Sequence, residues 1–175
     1  MDDCALLKPD ASMCGEIKAY RQEFLDTGDS MDGTGPLLRM EHAEDWLAFN
    51  RDAEDETKKP ENWVVSEQFA YVRKSDGKTV GMIQFRHYFN DFLERYGGHI
   101  GYSVRPGERK KGYAKRMLSE CLNVCRTFGL ENALITCLVD NEASRRTILA
   151  NGGVYESTVF CERDGVYLQR YWIKL

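Results

Sequence analysis

The stretch Ser103–Leu118, SVRPGERKKGYAKRML, decides how the rest of the chain is read. It opens with strand character and closes with helical character. Between the two lies a turn holding Pro106, Gly107 and Gly112, surrounded by Arg105, Arg109, Lys110 and Lys111. A helix N-terminus presents unpaired backbone N–H groups and a partial positive charge. A turn placed before it lets several of those groups converge on one anion. Gly112 removes a side chain where a ligand would approach the backbone, and Ala114 is nearly as small. The guest that suits such a turn is a diphosphate or a group of similar shape and charge; the bland alternative is a solvated helix start. Neither GxxxxGK[ST] nor a GxGxxG following a strand occurs, which sets aside two common phosphate loops. What remains is Arg-x-x-Gly-x-Ala at Arg109, Gly112 and Ala114.

Working outward, HIGYSV (His99–Val104) reads as the strand entering this turn. Ala114, Met117, Leu118, Cys121, Leu122, Cys125 and Phe128 then fall at helical spacing, and Gly129 stands where a helix stop belongs. ALITCLV (Ala133–Val139) is a continuous apolar run of strand length, as expected for a buried central strand. Asp140 or Asn141 can cap a short helix to about Asn151, which Gly152-Gly153 breaks. VYESTVF and VYLQRYWI suggest a closing hairpin around Glu162–Gly165. Upstream, FAYVR and TVGMIQFRHY form a hairpin about Asp76-Gly77. Nearer the start, a strand at Cys4–Lys8 precedes a helix capped by Ser12 that runs to about Asp26, with Met13, Ile17, Tyr20 and Phe24 on one stripe. A second helix over Glu41–Asp52 is anchored by Trp46, Leu47 and Phe49. The pattern predicts one domain over residues 1–175: an α+β, layered α/β/α fold with a mixed, mostly antiparallel sheet of about seven strands and helices on both faces.

Composition fits that reading. The chain has 175 residues, 42% hydrophobic and 30% charged, enough for one sizeable core. No apolar run approaches the roughly 20 residues a membrane span needs, and the acidic start MDDCALLKPD lacks the features of a signal peptide. A cytoplasmic protein with no membrane partner is the expectation. Twenty-eight acidic against 24 basic residues give a net charge of -4, which argues against a general nucleic-acid binder despite the local basic cluster. The six cysteines show no disulfide framework and no metal-ligand spacing, so no metal is expected.

The turn SVRPGERKKGYAKRML resembles the acyl-CoA loop of the GNAT superfamily of N-acetyltransferases, whose pattern is Gln/Arg-x-x-Gly-x-Gly/Ala. LITCLVDN ending in Asn141, followed by NEASRRTILANGG, resembles that family's next strand and Asn-x-x-Ser/Ala helix. The resemblance extends over essentially the whole chain and is strongest from His99 to Gly153. It implies that the strand before the turn splays from its neighbour, and that acetyl-CoA lies in the gap as co-substrate. Pantetheine would pair with main-chain groups of Tyr102, Ser103, Val104 and Arg105, a sheet-edge mode of recognition. The diphosphate would lie on Arg109, Lys110, Lys111, Gly112, Tyr113 and Ala114, with Asn141 and Ser144 reaching the pantetheine arm.

The activity implied is direct attack of a primary amine on the thioester in a ternary complex, which needs no nucleophilic cysteine. Backbone N–H near Val104 would stabilise the oxyanion. Many family members carry a Tyr seven residues after the Asn, and here that position is Ile148. This gap motivates the alternative of an acyl-CoA-binding sensor without turnover. For the general base, His99 is the first candidate, since an unperturbed pKa near 6.5 suits proton relay; Glu67, His87 and Tyr102 follow. The acceptor, a small-molecule or peptide amine, should meet the first two helices and the loops Asp29–Pro36 and Phe89–Gly97. The latter mixes aromatic and acidic residues. A homodimer is a further expectation from the family.

Overall fold

A computed structural model describes residues 3–175. Seven strands form two sheets. The first, of four strands, orders β1 (Cys4–Leu7), β2 (Ser66–Arg73), β3 (Thr79–Arg86) and β4 (Ile100–Val104) side by side, all antiparallel. The second, of three, places β7 (Val166–Lys174) between β5 (Asn132–Leu138) and β6 (Val154–Cys161). The order of elements along the chain follows the sequence reading, with the seven strands divided between two sheets rather than joined in one. A further difference lies at the first helix. Ser12 is not its cap: the Asp10 carboxylate accepts the Ser12 N–H at 2.8 Å and caps a single 3-10 turn, after which α1 runs Cys14–Thr27. Asp accepts such a bond while its own backbone stays extended, which is the usual geometry of an N-cap.

Helices cover both faces of the first sheet. On one face lie α1 and α2 (Ala43–Ala53), where Ile17, Tyr20, Phe24 and Trp46 close over Met82. On the other lies α3 (Tyr113–Phe128), whose Met117, Leu118, Cys121 and Cys125 are fully buried against Val80, Ile83, Phe85 and Ile100. Burial of each such Leu or Met contributes about 1.5–3 kcal/mol, so the amphipathic stripe seen in the sequence is what fixes α3 to the sheet. α4 (Glu142–Leu149) adds Ile148 to the same core. The six cysteines are free thiols, four of them buried. Among the described residues no helix is long and apolar enough to cross a membrane, and no His/Cys/Asp/Glu cluster could hold a metal.

Among the described residues the backbones of the two sheets bond to each other at one place. Gly98 bridges to Ile135, His99 N–H donates to Leu134 O at 2.7 Å, and the Leu134 N–H donates back to His99 Nδ1 at 2.9 Å. Beyond this apex, among the described residues, β4 pairs only with β3, and β5 only with β7. The central strands therefore diverge from His99 toward Val104, leaving a seam with the Arg109–Ala114 turn near its open end.

Candidate active site

Register dictates which groups face the seam. Arg86 N–H donates to His99 O and Arg105 N–H to Val80 O, so residues 99, 101, 103 and 105 are the ones bonded to β3 in this antiparallel ladder. The main-chain groups of Ile100, Tyr102 and Val104 point the other way, into the seam. Two of the residues expected on the open edge are thus turned inward. Ser103 is buried, with its carbonyl and hydroxyl both 3.0 Å from the Tyr20 hydroxyl. Arg105 is buried too: it donates to Glu23 at 2.7 Å, Glu16 at 3.0 Å and Thr79 O at 3.3 Å.

The cations of the turn are largely spoken for within the protein. Arg109 donates to Asp29 at 2.7 Å and to Val104 O at 3.2 Å, and its guanidinium lies over the Phe24 ring. Lys111 reaches Glu108 at 2.8 Å. Glu108 itself is buried and also meets Arg73 at 2.9 Å and Lys78 at 2.8 Å. Burial alone would raise its carboxyl pKa. Hydrogen bonds from Lys111, Lys78 and Arg73 outweigh that and hold it down to about 2. These pairs tie α1, β2 and β3 to the turn and fix its shape.

What the turn offers an anion is mainly backbone. Gly112 sits at φ 80°, with open space where a Cβ would be, and directly precedes α3. The N–H groups of Lys110, Lys111, Gly112 and Ala114 have no acceptor among the described residues. Tyr113 turns its side chain into the core, its hydroxyl accepting from Arg73 at 3.1 Å. Lys110 is exposed at φ 64° and has no salt bridge among the described residues. The donor set fits a diphosphate: neighbouring amides without acceptors, one exposed ammonium, and no side chain over the glycine.

Across the seam, Asn141 caps α4 by accepting the Ser144 N–H at 3.0 Å, and the Ser144 hydroxyl lies 2.8 Å from that of Tyr102. Tyr102 and Ser144 thus bridge β4 to α4. Ile148 is fully buried behind Gly153 and presents no proton donor. His99 is 6% exposed and lies against Phe89, ring centroids 4.0 Å apart, with Trp172 at 6.4 Å. Its Nδ1 lone pair takes the Leu134 N–H, so the neutral ring carries its proton on Nε2. Burial, with Arg86 nearby, pulls the ring down to about 4. Glu67 and His87 pair with each other at 3.0 Å, Glu67 on β2 and His87 just past β3, away from the seam. The Asp29–Pro36 loop comes to β4, where Gly33 lies on Gly101 so closely that an added Cβ would stand 2.1 Å from Gly101 O.

The profile of the acetyltransferase (GNAT) domain matches residues 17–154. The chain belongs to the GNAT acetyltransferase family. As a GNAT protein it is an acyltransferase, and its fold recurs in solved structures. The microcin C7 self-immunity acetyltransferase MccE, solved with acetyl-CoA and AMP, is 19% identical over 100% of this chain and 94% of its own, with a TM-score of 0.71. The ribosomal-protein-S5-alanine acetyltransferase from Vibrio fischeri is 16% identical over 98% and 91%, with a TM-score of 0.71. RimJ from Mycobacterium smegmatis, solved with CoA-disulfide, is 18% identical over 98% and 81%, with a TM-score of 0.72. At such identities the likeness is one of fold. A search of curated proteins gave no match.

Sequence reading missed Arg86 and Trp172, which the fold brings to the apex. Neither carries a signal in its own segment: each is one polar-edged residue in an alternating strand.

Proposed function

We propose that this GNAT protein is an N-acetyltransferase that binds acetyl-CoA in the β4–β5 seam and acetylates a primary amine by direct attack. The observation that carries this reading is the unpaired run of N–H groups around Gly112 at the open end of a seam lined by the main chain of Tyr102 and Val104. The diphosphate is held by the amides of Lys110, Lys111, Gly112 and Ala114, with the Lys110 side chain adding charge. The arm of the carrier follows the edge of β4, and Asn141 with Ser144 flanks it from α4. Acetyl-CoA supplies an activated acyl group. The protein supplies the alignment and the N–H groups of Tyr102 and Val104 toward the carbonyl oxygen as charge develops there.

The amine must arrive or become neutral, since an ammonium has no lone pair and an alkyl amine has a pKa of about 10.4. His99 suits this task poorly, because protonating Nδ1 means breaking its bond to Leu134. Its part is to hold the apex, and the proton leaves through water. No cysteine is needed. Similar folds include enzymes whose names specify a ribosomal protein, and a spermidine N-acetyltransferase, so the fold alone leaves the acceptor open.

A thiol-release assay over a panel of amines tests the reading, with acetyl-CoA affinity measured by calorimetry. Turnover with saturable acetyl-CoA is expected. Failure to bind CoA rejects it. The second reading, an acyl-CoA sensor, draws on the buried Ile148 and is distinguished by binding without turnover on any amine.

A further inference from the structure

On the face of the sheet shared by α1 and α2, at the closed end of the seam, stands a guanidinium without a carboxylate partner. Arg86 ends β3. Its Nε donates to Gln84 Oε1 at 3.2 Å, and one terminal nitrogen donates to Gly97 O at 3.1 Å and Gly98 O at 3.2 Å. The other terminal nitrogen has no acceptor among the described residues. It lies 2.9 Å from where a Cβ on Gly101 would stand, so the absence of a side chain there is what lets the guanidinium reach β4. Every other Arg that is buried or mostly buried on the first sheet meets a carboxylate: Arg73 has Glu108 and Asp76, and Arg105 has Glu16 and Glu23. Arg86 forms no such pair among the described residues. Burial pulls it down to about 10, relieved only by the field of Asp32.

A partly buried cation without a counterion is costly unless something completes it. Its surroundings narrow what that is. Gly33 and Gly101 press backbone to backbone beside it. His99, Phe89 and Trp172 form an aromatic wall at the apex. Asp32, exposed on the Asp29–Pro36 loop, directly precedes Gly33, which packs on Gly101 beside Arg86. One cation and one anion thus flank the closed end of the seam, toward which the arm of the carrier points.

We infer that the acceptor is a primary amine that also bears an anionic group, a carboxylate or phosphate, which the free terminal nitrogen of Arg86 binds while Asp32 faces the amine. Arg86 is then a specificity-determining residue. A guanidinium suits this task because its planar fork keeps three donors on Gln84 and the Gly97 and Gly98 carbonyls and still offers its second terminal nitrogen. A polycation would place like charge against it. This inference rests on the transferase reading and selects among its acceptors.

The test compares matched acceptors on the wild-type protein: an amino acid against its amide, and an aminoalkyl phosphate against the corresponding amino alcohol. The anionic member of at least one pair is expected to have a kcat/KM higher by about tenfold or more, carried mainly by KM; which pair responds identifies carboxylate or phosphate. In Arg86→Gln that ratio should collapse toward one, while Arg86→Lys retains part of it. Thermal unfolding and CoA calorimetry on both variants separate loss of the Gly97–Gly98 staple from loss of recognition, since a purely structural Arg86 would lower both members of a pair alike. Equal or better turnover of the neutral members by the wild type overturns the inference, as does a ratio that survives Arg86→Gln. If CoA binds and amines without anions are acetylated best, the inference fails and the transferase reading stands; absence of CoA binding removes both.

Discussion

His99 and Leu134 exchange two hydrogen bonds, one from the His99 N–H to the Leu134 carbonyl at 2.7 Å and one from the Leu134 N–H to the imidazole Nδ1 at 2.9 Å. A side chain here does what a backbone carbonyl would do in a continuous sheet. It satisfies the last N–H on β5 before the strands part, an amide that would otherwise be buried and unpaired. The seam therefore has a fixed apex, and the spread of the strands starts at a defined residue.

This bond makes stability depend on pH in a definite direction. The folded ring has a pKa of about 4 against 6.5 when unperturbed. Between those values the unfolded chain binds the proton and the folded chain does not, so stability rises with pH. The contribution is full above about pH 6.5 and is lost as pH falls toward 4, amounting to roughly 3 kcal/mol at most. Urea unfolding at pH 7 and pH 5 should show this loss in the wild type. His99→Gln keeps an acceptor for Leu134 without a titrating ring, and should flatten this part of the profile. An unchanged slope in that variant would remove His99 as its source.

Gly112 tests the diphosphate turn. At φ 80° with nothing near its missing Cβ, Gly112→Ala should cost about 1 kcal/mol in backbone strain and little in contact. Gly112→Glu adds a carboxylate beside the free N–H groups and should weaken CoA binding by at least about a hundredfold with the fold retained, because it sets like charge against the ligand. Calorimetry together with a thermal melt reads both. Lys110→Ala should lower affinity only a few-fold, and the effect should shrink as salt is added.

Much of this arrangement was open to reading in the sequence, and the part that was not has a common cause. The helical stripe from Ala114 to Phe128, the Gly112 turn and the Asn141 cap each depend on neighbours within a few residues. The role of each cation does not. Arg105 finds Glu16 and Glu23 more than 80 residues earlier, and Arg109 finds Asp29. Seen along the chain the basic run looks like a phosphate claw; in the fold most of it braces the loop, and the backbone is left to face the anion. Likewise, His99 looked like a base because nothing nearby in sequence reveals that Leu134, 35 residues on, uses its lone pair.

The bracing role of those charges separates stability from binding. Arg105 is buried against two carboxylates and Glu108 against three cations. Arg105→Ala and Glu108→Gln should each destabilise by about 3 kcal/mol, since each leaves buried charge uncompensated. Glu108 also sets an acid limb: its folded pKa of about 2 lies below the ordinary 4.5, so its contribution is present above about pH 4.5 and is lost as pH falls toward 2. Glu108→Gln should abolish this limb while CoA affinity at pH 7 stays equal or rises, because one negative charge leaves the turn. A fall in affinity larger than the fall in stability would contradict the bracing role.

The Tyr102 hydroxyl, 2.8 Å from Ser144 across the seam, faces the path proposed for the sulfur of the carrier. Burial raises its pKa above the ordinary tyrosine value, whereas a free thiol has a pKa of about 8.5. Full proton transfer from Tyr102 to a departing thiolate would therefore run uphill. A hydrogen bond from the hydroxyl to the thiolate would not, and it strengthens as charge develops, which lowers the barrier without a change of protonation state. Tyr102→Phe should accordingly lower kcat by about tenfold to a hundredfold and leave CoA affinity within about twofold, as both states bind the same main-chain groups. The wild-type rate should show no alkaline limb that vanishes in Tyr102→Phe. Such a limb would instead make Tyr102 a full proton donor to the thiolate, and a loss confined to CoA affinity would make it a binding residue only.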